Sequence, residues 1–211
     1  MKKILVALAL VALVATPVFS ATIQGSKHDL SGSGPNQWGN GYNRICALCH
    51  TPHEASVTAQ NAPLWNRTYS TAGITVYNAV STTDAVFDAA SYGATDAPLC
   101  LSCHDGASMT DALVNPPNSG GSAVSTNISS TANLGRTLGN DHPIGFNYQD
   151  VIDAGDTEIR ANPVGITFYG TAPDTGMMWC SSCHDVHDPA NTPFLVSTNV
   201  QSALCLTCHD K

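Results

Sequence analysis

The stretch CALCHTPH, residues 46–53, places two thiols, Cys46 and Cys49, three positions apart. An imidazole, His50, follows directly, and another, His53, comes three residues later. Thiols at this spacing can chelate a soft metal, cycle as a redox dithiol, or add across the vinyl groups of a porphyrin whose iron the adjacent histidine ligates. The pattern recurs as Cys100-Cys103-His104, Cys180-Cys183-His184 and Cys205-Cys208-His209, so all eight cysteines fall into CxxC pairs and every pair precedes a histidine. Structural zinc joins CxxC pairs two at a time and gives no reason for four trailing histidines. Redox CxxC expects a βαβ setting that the flanking sequence lacks, and a disulfide framework needs no histidine. CxxCH is the attachment signature of c-type haem. Four copies predict four covalent haem c groups, with thioethers at the eight cysteines and His50, His104, His184 and His209 as proximal iron ligands.

Four histidines remain: His28, His53, His142 and His187. Haem iron has two axial positions, and cytochromes commonly fill the second with Met or His. After Met1 only Met109, Met177 and Met178 are present, too few for four irons, and Met178 lies close to Cys180. One spare histidine per iron therefore predicts four bis-histidine haems, with these four as distal ligands. The bland alternative leaves them in solvent.

The chain is written twice. His28, CALCHTPH (46–53), NAPLW (61–65) and PLCLSCHD (98–105) are answered by His142, CSSCHDVH (180–187), NTPFL (191–195) and ALCLTCHD (203–210). Each half supplies two haem motifs and two further histidines. His53 and His187 hold equivalent posts, three residues beyond a proximal ligand. In a helical turn, residues three apart share a face, with Cβ atoms roughly 5–6 Å apart. The two ligands of one iron approach from opposite faces, so His53 and His187 should cross to other haems. A hydrogen bond to a propionate or carbonyl is the alternative for His53.

The elements positioning these residues carry weak signals. GITVYNAV (73–80) and VGITFYG (164–170) alternate like short strands, and helices are expected only at the CxxCH segments. NPPNSGGSAVSTNISSTANLG (115–135) is rich in turn residues and reads as an irregular linker. The expected organisation is a signal peptide (1–20), a two-haem module (21–114), the linker (115–135) and a second two-haem module (136–211). The fold class follows: mostly irregular coil, short helices at the motifs, a few short strands, and haems forming much of the core.

Lys2 and Lys3, the apolar run Ile4–Val14, and Val18 and Ser20 before Ala21 read as a secretory signal. The run is too short to span roughly 30 Å of hydrocarbon, and no other stretch approaches that length. Without Lys2 and Lys3, six basic residues face sixteen acidic ones, a net charge of −10. Clustered basic residues, the mark of nucleic-acid binding, are absent. Sparse charge and abundant Gly, Ser, Thr, Asn and Ala fit an exported surface, and also packing against copies of the same chain.

With these motifs, and with SKHDLSG around His28 and DHPIGF around His142, the sequence resembles multihaem c-type cytochromes with doubled CxxCH motifs. Among tetrahaem members it most resembles the outer-surface filament cytochromes of metal-reducing bacteria. The resemblance implies electron transfer without catalysis, and head-to-tail assembly in which His53 ligates a haem of the neighbouring copy. It also implies an extracellular or outer-surface location and partners that are other redox proteins or external acceptors such as metal oxides. A soluble periplasmic shuttle is the rival, and a multihaem oxidoreductase with one open iron a more distant one.

Overall fold

A CxxCH segment is one helical turn long, and the backbone closes that turn in the same way at each motif. The N–H of His50 donates to Cys46 O at 2.8 Å, that of His184 to Cys180 O at 3.0 Å, and that of His209 to Cys205 O at 2.9 Å. The computed structural model describes residues 22–36, 43–56, 64–69, 72–75, 77, 95–109, 113–116, 127–170 and 176–210. The signal peptide, residues 1–20, lies outside them. Among the described residues no helix is long and apolar enough to cross a membrane.

The first and third motifs form 3-10 turns, Ile45–Leu48 and Cys180–Ser182, and Val200–Ser202 forms another. The second motif lies on a true helix, α1 (Ala97–His104). Thr95 Oγ1 accepts the Ala97 N–H at 3.0 Å, and a proline with preset φ stands in its first turn. Gly106, at φ 71°, ends it; a Cβ there would meet the Asn133 side chain. Helix α2 (Tyr148–Asp153) begins with the Asn147 side chain accepting the Gln149 N–H and ends at Gly155, φ 82°. Helix α3 (Cys205–Cys208) is the fourth motif itself.

Pairing between extended segments is confined, among the described residues, to isolated bridges, so the expected strands are not formed there. Thr75 pairs with Thr137, and Tyr169 exchanges both backbone hydrogen bonds with Met177 at 2.9 Å. Gly165 and Gly170 adopt φ of 88° and 104°, which breaks the extended run on either side of one bridge. Residues 76 and 78–80 of GITVYNAV lie outside the described residues, and VGITFYG contributes only the single bridge at Tyr169.

One hook occurs twice. Thr51 N–H donates to Leu64 O and Asn66 N–H to Cys49 O, at 2.7 and 2.8 Å. In the second half Asp185 N–H donates to Phe194 O and Val196 N–H to Cys183 O, at 2.7 and 3.0 Å. His50 bridges Trp65, and His184 bridges Leu195. Leu64 and Phe194 both take the left-handed conformation, φ 57° and 61°. For a side-chain-bearing residue this costs about 1–2 kcal/mol, so the surrounding bonds must impose it. Leu64-Trp65, the described part of NAPLW, and Phe194-Leu195 of NTPFL are thus straps, each returning along its own motif.

The apolar core is divided into three small clusters, each against a motif. Leu48 packs with Leu30, Met109 and Leu113. Ala97, Leu101 and Leu138 meet Tyr69, Ile74, Ile144 and Cys180. Phe146, Tyr148, Met178 and Cys208 form the third. Met109 and Met178 are therefore packing residues. Among the described residues buried polar side chains match buried apolar ones in number, so hydrogen bonding carries much of the internal order. Arg67 shows how: its guanidinium donates to Ser102 Oγ and to the carbonyls of Ser102, Ser108 and Met109, at 2.8–3.2 Å.

Candidate functional site

All eight cysteines are free of disulfides, which removes a disulfide framework. Among the described residues no three His, Cys, Asp or Glu side chains converge as a direct metal-binding group, so the tetrahedral zinc alternative has no site there. At Cys49, Cys103, Cys180 and Cys183 the surroundings favour an uncharged sulfur. Burial pushes Cys49 up to about 12; Cys103 adds to this and the Arg67 guanidinium opposes it. Cys103 is raised by burial as well. Cys180 is pushed well up, first by the Cys100 thiol and then by burial. Cys183 is raised by burial and then by Cys208 and Cys205. A thiolate ligand is disfavoured in such places, whereas a thioether carries no charge to desolvate.

These couplings also show which motifs are neighbours. Cys49 meets Cys103, Cys100 meets Cys180, and Cys183 meets Cys208. The thiols of successive motifs are thus near one another, first with second, second with third, third with fourth, and His50 of the first motif also lies beside His187, just past the third.

The imidazoles are held in the tautomer a metal ligand needs. Nδ1 of His104 lies 2.7 Å from Ala132 O, that of His184 3.0 Å from Pro193 O, and that of His142 2.9 Å from Pro143 O. Carbonyls only accept, so each Nδ1 carries the proton and Nε2 keeps its lone pair. The Pro193 carbonyl belongs to the second strap, which thereby orients His184. Burial, and then the charges of His104, His184 and His187, lowers the His28 pKa to about 4, favouring the neutral ligand form. Burial also lowers that of His142.

Three imidazole pairs form. His28 and His104 have ring centres 5.9 Å apart at an interplanar angle of 89°, His50 and His187 6.2 Å at 21°, and His142 and His209 6.3 Å at 76°. A metal held between two imidazoles, with metal–nitrogen bonds of about 2.0 Å and ~1.1 Å from nitrogen to ring centre, would set ring centres about 6.2 Å apart. The three separations fit. The indole N–H groups of Trp65 and Trp179 are buried and meet no acceptor among the described residues, and haem propionates would supply one. These residues fit a covalently bound haem.

One pairing joins the halves, and a second packs against the other half. His187, three residues beyond His184, lies against His50 of the first motif. His28 feels the charges of His184 and His187, and its ring packs 4.4 Å from Phe194. His53 and His184 remain, both exposed, and neither ring has an imidazole partner among the described residues. The His53 loop is nonetheless fixed. Thr51 Oγ1 and Asn115 Nδ2 donate to His53 O at 2.9 and 2.7 Å, and Asn115 N–H donates to Asn66 Oδ1 at 2.8 Å. Asn115 opens the segment read as a linker, and nothing local in NPPN marks it as a clamp on residues sixty positions earlier. Arg67 and Asp96 are likewise silent in the sequence.

With this geometry in view, residues 173–211 match the family described as the doubled CXXCH motif, a span that contains the third and fourth motifs. A comparison with curated proteins finds no match. The doubled motif marks covalent haem c binding and supports a multihaem c-type cytochrome that carries electrons.

Proposed function

We propose that the chain is a tetrahaem electron carrier, built from a duplicated two-haem module and exported from the cell. Copies join head to tail through His53 of one chain and His184 of the next. Bound haem supplies a one-electron iron couple at each motif. The chain's own residues do the rest. Eight thioethers fix the porphyrin edges, and the neighbouring cysteines put the four attachment sites in the order of the motifs. Imidazoles on both faces keep water and substrate from the irons, and second-nitrogen hydrogen bonds hold those rings. Electrons then pass from one end of the chain to the other, and onward to external redox partners or solid acceptors.

One observation carries this reading: three imidazole pairs are completed within the chain, and one proximal and one distal histidine are left over, both on the surface. A donor and an acceptor at different places on one chain make a heterologous contact, which grows as a fibre where it does not close into a ring. The same vacancy favours a second reading, a soluble carrier or oxidoreductase whose third iron stays open.

The test is His53→Ala, with intact protein measured beside it. Intact material should exceed the processed polypeptide by four haem masses, form regular fibres under negative stain, and bind no carbon monoxide. The variant should keep four haems, lose the fibres, and gain one high-spin haem per chain that binds carbon monoxide. Fibres that persist with an unchanged spectrum overturn the proposal. Monomeric wild-type protein that binds carbon monoxide at one haem supports the second reading instead.

A further inference from the structure

Asp96 precedes α1, the helix of the second motif, yet its carboxylate does not cap that helix; Thr95 Oγ1 does. Both carboxylate oxygens turn to the other half of the chain. Oδ1 accepts the Cys180 N–H at 3.0 Å, and Oδ2 accepts the Ser181 N–H at 2.9 Å, residues 84 and 85 positions away. These are the first amides of the third motif's turn, which the turn itself leaves without acceptors. Asp96 is buried, and hydrogen bonds to a buried carboxylate are among the stronger kind. The thiols of Cys100, on α1, and Cys180 face each other beside this clamp. Cys180 also packs against the Ala97, Leu101 and Leu138 cluster.

We propose that Asp96 is the positioning residue for electron transfer between the two halves. It binds the third attachment turn to the start of the second attachment helix and so fixes the edge-to-edge relation of the second and third haems. The first–second and third–fourth contacts join motifs of the same half. The halves also meet where His187 faces His50 and where His28 packs on Phe194, but of the three thiol contacts between motifs only the second–third one spans the duplication, and a two-pronged carboxylate holds it. The inference rests on the four-haem reading above.

The experiment reads the Soret circular dichroism of the assembled holoprotein, where closely packed haems give a two-signed couplet. Variants lacking the second haem (Cys100→Ala with Cys103→Ala) or the third (Cys180→Ala with Cys183→Ala) identify the part of the couplet that belongs to this pair. Asp96→Asn retains one acceptor and turns an amide N–H toward the other donor. It should keep four haems and a low-spin spectrum while losing that part of the couplet. Thr95→Val loosens the start of α1 without touching Cys180 or Ser181, and should leave the couplet intact. An unchanged couplet in Asp96→Asn, or the same loss in Thr95→Val, overturns the proposal. If Asp96→Asn does not accumulate with four haems, Asp96→Glu replaces it; the longer arm must displace the third turn and alter the couplet, and an unaltered one refutes the clamp. Wild-type protein with fewer than four haems by mass would instead defeat the four-haem reading itself.

Discussion

His187 and His184 lie three residues apart in CSSCHDVH and meet different partners. His184 is held by Pro193 O and faces solvent, whereas His187 reaches His50. The 3-10 turn ends at Ser182 and His184 is already extended, bridged to Leu195, so the chain has left the helical turn before it reaches His187. His187→Ala should make the haem on the first motif high-spin and leave the haem on its own third motif unchanged. Magnetic circular dichroism of the variant, compared with the same substitution in a chain lacking Cys46 and Cys49, checks this. The extra high-spin signal should vanish in the second protein, and its persistence would sink the assignment. The residue types at these positions were legible in the sequence. The pairing was not, since nothing in a histidine's neighbours encodes an iron held by a distant part of the chain.

The motifs behave as short turns stabilised by what returns to them: straps at the first and third, a helix with its own apolar contacts at the second, and the segment around Ile159 at the fourth. Leu48, buried at 1% exposure between Cys46 and Cys49, anchors the first turn on Leu30, Met109 and Leu113. Leu48→Ala should cost about 2–5 kcal/mol, the range for emptying a buried leucine site. A lowered midpoint in guanidinium, followed by haem absorbance, with the folded spectrum still low-spin, is the expected result. A wild-type midpoint would mean that the cluster contributes little. The repeated strap was visible as NAPLW and NTPFL, yet its left-handed Leu64 and Phe194 were not. Bulky residues disfavour that conformation, and only hydrogen bonds on both sides of the turn impose it.

Among the described residues the buried apolar side chains form three small clusters, two of them linked through Ile144, with no sheet joining them. Such clusters bury too little surface to offset the ordering of a chain this long. Haem attachment should therefore be coupled to folding, as metal binding is in small metal-dependent domains. Polypeptide made without the attachment machinery should show far-ultraviolet circular dichroism of a largely unfolded chain and rapid proteolysis, while the holoprotein resists. A protease-resistant apoprotein would show that the side chains alone suffice.

The sequence by itself determined the chemistry: eight cysteines in four CxxCH units point to covalent haem c, and the four spare histidines equal the motifs in number. Local order was also within its reach, because a turn closed from cysteine carbonyl to histidine amide depends only on adjacent residues. Only the tertiary structure decided which imidazole faces which, that Asp96 ties one half to the other, and that His53 and His184 stay exposed. Those are contacts between residues tens of positions apart, and their energies depend on distances that no local pattern of residue types records.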